Sequence, residues 1–120
     1  DDYFIPYADG SVRLIFLSFF ISTTTDPLFR RLMNEINRVI SRDRHNPGRI
    51  VIIDDFLNPV SSTLSQERNF IREKRQFFDY PRQGTLHLRS LTEIFYHLHA
   101  RLEYHGTNFD QSNVLILRST

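Results

Sequence analysis

Two adjacent carboxylates, Asp54 and Asp55, end the most regular apolar segment of the 120-residue chain, RIVIIDDF at residues 49–56. Carboxylates at the end of a buried strand can bind Mg²⁺ or accept hydrogen bonds from ribose hydroxyls. Residues 58–63, which follow, contain no glycine, so they do not allow the close backbone approach that a phosphate loop needs. Two interpretations stay open: a metal or nucleotide site, or a turn in which one carboxylate pairs with an arginine.

A row of basic residues follows these carboxylates. Arg68, Arg72 and Arg75 have the i, i+4, i+7 spacing of one helix face, and Lys74 adds a further positive charge. Aromatic residues are interleaved with them: Phe70, Phe77, Phe78 and Tyr80. Arginine rows contact phosphate backbones, and aromatic rings stack on single-stranded bases. Because the formal net charge is only +1, a solvated helix face is the favoured interpretation and a DNA contact is the alternative.

Other chemical motifs are incomplete. Residues 22–27 have the position of a phosphate-binding loop, between a buried strand and a helix N-terminus. They include neither the glycines nor the lysine of such a loop, and Asp26 would repel an anion. His97 and His99 are two residues apart on a predicted helix, so they point to different faces and do not form a metal pair. No serine has the glycine pattern of a nucleophile elbow, and the sequence therefore indicates no catalytic residue.

Strands and helices alternate along the chain. The predicted strands cover residues 12–21, 49–56, 85–88 and 114–117, and the predicted helices cover 27–43, 64–78 and 90–105. The first strand is a continuous apolar run, which is typical of a strand buried on both faces of a parallel sheet. Asp26 is a good N-cap before Pro27, and Ser90 with Glu93 has the spacing of a capping box.

This order predicts an α/β domain of the three-layer, Rossmann-like or RecA-like kind. We expect a mainly parallel sheet of four or more strands, with helices on both faces. The length of 120 residues fits a single domain over residues 1–120, or a fragment of a larger chain. The final strand would leave one edge of the sheet bare, which favours a partner there.

The amino-acid composition excludes several classes of protein and of binding site. Apolar residues make up 40% and charged residues 24%, as in ordinary globular proteins. There is no cysteine, which excludes disulfides and thiolate zinc sites. No apolar run reaches the ~20 residues of a membrane span, and the acidic start at Asp1 and Asp2 argues against a signal peptide. We expect an intracellular location, the nucleus included, and no membrane contact.

The order of elements resembles the core of RecA-like recombinases, and residues 53–56 and 88–94 resemble the corresponding family segments. In that family the first strand leads into a phosphate loop, whose glycine and lysine are absent here. Arg118 and Ser119 stand where the last strand of the family carries its magnesium-linked aspartate. The resemblance therefore implies a degenerate, ATP-independent paralogue (a pseudo-ATPase) that acts by binding protein partners and DNA.

We accordingly predict a non-catalytic protein-interaction subunit that needs no cofactor, an accessory factor of a DNA recombination or repair complex. It would bind a protein partner, as a hetero- or homo-oligomer, together with DNA. The candidate phosphate contacts are Arg68, Arg72, Lys74 and Arg75, and the candidate partner contacts are Phe77, Phe78, Val114 and Ile116. One alternative is a Mg²⁺-dependent nucleotide or phosphoribosyl-type enzyme that uses Asp54 and Asp55. A second alternative is a purely structural subunit of another assembly.

Overall fold

The computed structural model describes residues 4–57, 88–108 and 112–120. Its strands are β1 (Leu14–Ser18), β2 (Arg49–Asp54), β3 (Phe56–Leu57), β4 (Arg89–Ser90), β5 (Ala100–Thr107) and β6 (Asn113–Ser119). Its helices are α1 (Asp26–Val39) and α2 (Leu91–His97), and a 3₁₀ turn covers Ile21–Thr23. The predicted helix at residues 64–78 and all but the last residue of the predicted strand at 85–88 lie outside the described residues.

Four strands form one mixed sheet in the order β1-β2-β6-β5, which confirms the α/β class. β1 is parallel to β2, whereas β6 is antiparallel to both β2 and β5. The expectation of a mainly parallel sheet is therefore wrong. The reason is the short connection from β5 to β6, where the Asn108 N–H donates to the Ser112 carbonyl at 2.9 Å. A connection of this length closes a hairpin but cannot carry the chain back for a parallel strand.

The predicted third helix, over residues 90–105, is helical only as far as His97. The Ser90 hydroxyl accepts the N–H of Glu93 at 3.3 Å, so the helix begins with the N-cap that the capping-box spacing indicates. At Leu98 the backbone becomes extended (ψ 129°), and the following residues enter β5. The segment therefore supplies a strand to the sheet as well as a helix to its face.

The error in that prediction comes from the spacing of two leucines. Leu98 and Leu102 are four residues apart and fit one helix face, but Leu98 is buried beneath α2 while Leu102 pairs with Leu117 in the sheet. Gly106, expected as the stop signal of a helix, lies within β5 opposite Val114. Seven residue pairs join β5 to β6 in the hairpin. The stability that they give to the extended backbone outweighs the weak helical propensity of residues 98–105.

The core lies between the sheet and the two described helices. α1 is amphipathic and begins one residue before the predicted position, with Thr25 rather than Asp26 as its N-cap, and it ends at Val39. The buried core comprises Ile21, Phe29, Leu32, Met33, Ile36, Ile40, Ile50, Ile52, Phe56, Ile94, Leu98, Leu115 and Leu117. α1 and α2 thus share this one core with the sheet, and the predicted helix at residues 64–78, expected to complete a third layer, lies outside the described residues.

β1 is the outer strand of the sheet and is shorter than the predicted strand at residues 12–21. Ile15 and Leu17 pack against the core, but Leu14 and Phe16 are 63% and 59% exposed. The prediction that this strand is buried on both faces is therefore wrong for the described residues. β6, which was expected at a bare edge, lies between β2 and β5. Within the described segments, no helix is long and apolar enough to cross a membrane.

Candidate functional site

Asp54 lies at the carboxyl end of β2, on the face of the sheet that packs against the helices. It continues the buried alternation of Ile50 and Ile52, and like them it is fully buried. Its Oδ2 accepts the backbone N–H groups of Ile21 at 2.9 Å and Ser22 at 3.1 Å, and its Oδ1 accepts the N–H of Asp55 at 2.7 Å. Asp54 therefore holds the 3₁₀ turn that follows β1.

Burial raises the pKa of the Asp54 carboxyl above its ordinary value, because the charged form loses hydration inside the protein. The nearby Ser22 hydroxyl and the backbone N–H groups of Asp55 and Ser22 oppose this shift. The neighbouring charge of Asp55 adds to the increase. The turn thus rests on a carboxyl group whose proton affinity is higher in the folded chain than in water.

Arg89 holds the same turn from the other side. Its guanidinium, 3% exposed, donates to the carbonyls of Ile21 and Thr24, each at 2.6 Å, and to the Asp26 carboxylate at 2.9 Å. The guanidinium carbon also lies 4.2 Å from the centre of the Phe29 ring, a favourable cation–π distance. We call Asp54 and Arg89 the clamp, since one accepts from the N–H groups of the turn and the other donates to its carbonyls.

The clamp is assembled from two strand ends. Arg89 begins β4, where it pairs in parallel with Phe56 of β3, and β3 follows Asp54 after one intervening residue. The pairing of these two short strands therefore brings Arg89 next to the carboxyl end of β2. Charged groups are buried at a cost unless hydrogen bonds compensate, and here backbone groups supply those bonds.

We call the segment held by the clamp, residues 19–26, the β1 loop. Its first residue, Phe19, has a φ of 52°, in the left-handed region that non-glycine residues rarely adopt. The Phe19 N–H donates to the Ile53 carbonyl at 2.8 Å, and the hydroxyls of Thr23 and Thr24 donate to the Phe20 carbonyl at 3.0 and 2.5 Å. Such backbone strain costs ~1–3 kcal/mol and is concentrated at functional sites.

The β1 loop lies at the position in the sheet where open α/β proteins bind their ligands. In open α/β sheets, ligands bind at the carboxyl ends of parallel strands, and the loop lies at that end of β1 and β2. A strained residue, a buried carboxyl with a raised pKa and a buried arginine occur together here. We therefore take the β1 loop with its clamp as the candidate functional site.

Some of the predicted site residues lie in the described part of the chain. Asp54 and Asp55 are both buried beside the β1 loop, and the arginine that reaches this turn is Arg89, paired with Asp26. Among the described residues, no group of three or more acidic or histidine side chains is arranged to hold a metal ion. Val114 and Ile116 are half-buried on β6, which lies between β2 and β5 and is not the edge strand expected there, and their partner role stays a prediction.

The remaining predicted residues cannot be placed. The basic row and the two phenylalanines lie outside the described residues, and their roles stay predictions: Arg68, Arg72, Lys74, Arg75, Phe77 and Phe78. Conversely, the sequence analysis missed Arg89 and Phe19. A single arginine between Leu88 and a helix cap carries no signal of burial, and a phenylalanine gives no signal of positive φ, because that conformation is set by the surrounding fold.

Comparison with solved structures identifies the fold. The chain is similar to the PH0226 protein from Pyrococcus horikoshii OT3, with a TM-score of 0.65 and 9% sequence identity over 97% of this chain and 55% of that chain. It is also similar to TnmH and to the pyocyanin biosynthetic protein PhzM, each with a TM-score of 0.61 and 11% identity over 98% of this chain and 32% of theirs. No protein-family model matches the sequence, and no curated protein matches it either.

These neighbours have a Rossmann-like methyltransferase fold, and the chain shares it. The predicted RecA-like core and pseudo-ATPase are therefore wrong. The prediction of a non-catalytic accessory factor in DNA recombination or repair rested on that core and is overturned with it, since the likeness is to TnmH and to the pyocyanin biosynthetic protein PhzM. A likeness in fold alone does not test the two alternatives, a phosphoribosyl-type enzyme and a purely structural subunit. The chain spans about half the length of PH0226 and about a third of TnmH and PhzM.

Proposed function

We propose that this chain is part of a methyl-transferring enzyme and that the β1 loop lies beside its reaction centre. The observation that carries the proposal is the similarity of almost the whole chain, 97–98%, to proteins with the methyltransferase fold. The position of the clamped β1 loop at the carboxyl ends of β1 and β2 supports it, because ligands of open α/β sheets bind there.

Enzymatic methyl transfer commonly uses S-adenosylmethionine, a sulfonium compound with a nucleoside and an amino-acid moiety. The described residues at the carboxyl ends of β1 and β2 do not fit this donor. Neither residues 18–26 nor residues 54–57 contain a glycine for close backbone approach, and the oxygens of Asp54 already accept three N–H groups. We therefore derive no step through the donor from these residues.

The contribution of this chain is the position of the β1 loop. The clamp fixes the turn at Ile21 from both its N–H and its carbonyl side, and the Asp26 side chain, 71% exposed, is held in place by Arg89. A fixed loop next to the reacting groups lowers the entropy cost of their alignment. In this proposal Asp54 and Arg89 are positioning residues, since neither touches the reacting atoms.

The test is the transfer of a labelled methyl group. The natural protein that contains this chain is incubated with methyl-labelled S-adenosylmethionine and a panel of small molecules with hydroxyl, amino or thiol groups. We expect label on at least one acceptor, and a rate at least ten times lower for Asp54→Asn. The matched control is Asp9→Asn, which removes an 82% exposed carboxylate from the surface pair with Arg38 and should leave the rate unchanged. Absence of label from every acceptor would contradict the proposal.

A further inference from the structure

A second feature lies at the opposite end of the sheet from the β1 loop. A cavity of about 350 Å³ opens where the loop before β2 meets the start of β5 and the end of β6. Four arginines line it: Arg42, Arg44, Arg101 and Arg118. Asp43 is the single acidic side chain among its lining residues in the described segments. We call this the arginine cavity.

The strand register places like charges side by side at this cavity. Arg118 of β6 lies opposite Arg101 of β5 and also opposite Arg49 of β2. Like charges in directly opposite positions destabilise a sheet unless something neutralises them. Glu103 pairs with Arg49 at 2.8 Å, and its charge acts on Arg118 and Arg101 only at longer range. In the described segments, no carboxylate lies within ion-pair distance of Arg101 or Arg118.

Arg42 is held in position without an acidic partner in the described part of the chain. Its Nη1 donates to the carbonyls of His99 at 3.0 Å and Thr120 at 2.9 Å, and its Nη2 donates to the carbonyl of Asn37 at 3.1 Å. These bonds fix the guanidinium and leave two of its five N–H donors for a ligand. A cation that is already positioned binds an anion with a smaller loss of side-chain entropy.

We infer that the arginine cavity binds a small molecule that bears a phosphate group. Guanidinium groups bind phosphate oxygens in a bidentate geometry. The described lining of this cavity holds four of them and one acidic side chain, so positive charge is in excess. The volume lies within the range of ~300–1,000 Å³ that is usual for small-ligand sites. Among the described residues, no aromatic side chain lines the cavity, so this lining offers no stacking surface of the kind on which single-stranded nucleic acids bind.

The arginine cavity is separate from the proposed reaction centre. It adjoins Arg49 at the start of β2, whereas the clamp is at Asp54, five residues along the strand and thus roughly 16 Å away. The inference is therefore independent of the proposed methyl transfer. A phosphate-bearing ligand at this place would bind to a second site on the molecule, whatever reaction occurs at the first.

Isothermal titration of the full chain with inorganic pyrophosphate tests the inference. We expect saturable binding that weakens as the salt concentration rises. Arg101→Gln/Arg118→Gln should bind at least tenfold more weakly, and Arg44→Gln, which changes only an exposed loop residue, should bind several-fold more weakly. The matched control is Arg30→Gln/Arg31→Gln, which removes two exposed arginines of α1 and should bind as the wild type does.

Three results would overturn the inference. The first is the absence of saturable pyrophosphate binding by the wild type. The second is equal weakening of binding in the control and in Arg101→Gln/Arg118→Gln, which each lose two charges; this would mean that pyrophosphate responds only to overall charge. The third is tight binding of a single-stranded oligonucleotide that Arg101→Gln/Arg118→Gln weakens while pyrophosphate binding stays unchanged, which would assign the cavity to nucleic acid. Circular dichroism of each variant establishes that it is folded before titration, and Arg44→Gln tests the cavity without any change in the sheet.

Discussion

At the scale of single residues, the candidate site depends on two buried charged side chains, Asp54 and Arg89. Each binds backbone groups of the β1 loop, and the two do not pair with each other. Asp54 accepts three N–H groups, and Arg89 donates to two carbonyls and to Asp26. Neither role follows from residue type alone. Asp54 stands at the end of a clear strand pattern, but two of its three partners, Ile21 and Ser22, lie in the 3₁₀ turn after β1, more than thirty residues away in the chain.

Replacement of Arg89 by lysine should destabilise the fold. Lysine offers a single ammonium in place of the planar guanidinium, so it cannot reach Ile21, Thr24 and Asp26 together, and a buried carbonyl loses its donor. We expect the free energy of unfolding, measured by urea titration, to fall by about 2–4 kcal/mol. Arg49→Lys, at the more exposed pair with Glu103, should remain close to wild type. Equal losses in the two variants would contradict the role assigned to Arg89.

The pKa of Asp54 predicts a pH dependence of stability. Folding raises this pKa above its ordinary value of 3.8, so the folded chain binds the proton more tightly than the unfolded chain does. The contribution of the carboxyl to stability is therefore complete below about pH 3.8 and is lost as the pH rises through the folded pKa. We expect the stability difference between wild type and Asp54→Asn to move against the wild type over this range.

Urea titrations of both proteins from about pH 3.5 to about pH 7 measure this difference. The lowered pKa values of Glu35 and Glu103 act in the opposite direction, but they are present in both proteins and cancel in the comparison. A difference that is constant with pH, or that moves in favour of the wild type as the pH rises, would show that burial does not raise the pKa of Asp54.

At the scale of elements, the sequence predicts those whose pattern is local and misses those that depend on pairing. The apolar run of residues 49–56 gives β2, and the apolar spacing after Pro27 gives α1, although this helix ends at Val39, four residues before its predicted end. The β5–β6 hairpin was missed because its strands are defined by each other: β5 has no alternating apolar pattern and is mostly exposed. The mixed sheet follows from that hairpin, so the same omission gave the wrong sheet.

The connection between α1 and β2 offers a test at this scale. A Cβ at Gly48 would lie 2.6 Å from two carbon atoms of the buried Ile40 side chain and 3.0 Å from the Ser41 nitrogen. We expect Gly48→Ala to lower the free energy of unfolding by about 1–3 kcal/mol, because this part of the core cannot expand without moving backbone. Ile40→Val should recover part of the loss in the double variant, since it removes one of the contacting carbons.

Gly10→Ala provides the contrast, because nothing lies within 4 Å of the added Cβ and only the positive φ of 65° is unfavourable. Its expected loss is about 1 kcal/mol, with no recovery from Ile40→Val. Two results would contradict close packing at this connection. One is a loss of unfolding free energy in Gly48→Ala no greater than that in Gly10→Ala, and the other is a further loss when Ile40→Val is added to Gly48→Ala.

At the scale of the whole molecule, the two ends of one sheet carry different chemistry. The clamp and the β1 loop occupy the carboxyl ends of β1 and β2, and the arginine cavity occupies the opposite end. The sequence could indicate the α/β class from the order of elements, but it could not separate the RecA-like from the methyltransferase topology. That distinction depends on strand order and direction, which are set by long-range pairing between β2 and β6.

The measurement that most directly tests the central claim is the steady-state rate of labelled methyl transfer by the natural protein and by its Arg89→Lys variant. Both are assayed at a low temperature at which circular dichroism shows the variant to be fully folded. We predict that the wild type transfers the label and that kcat of the variant is at least tenfold lower, because the β1 loop is no longer held beside the reacting groups. Transfer at the wild-type rate by the folded variant would contradict the role of the clamp, and no transfer by the wild type would contradict methyl transfer itself.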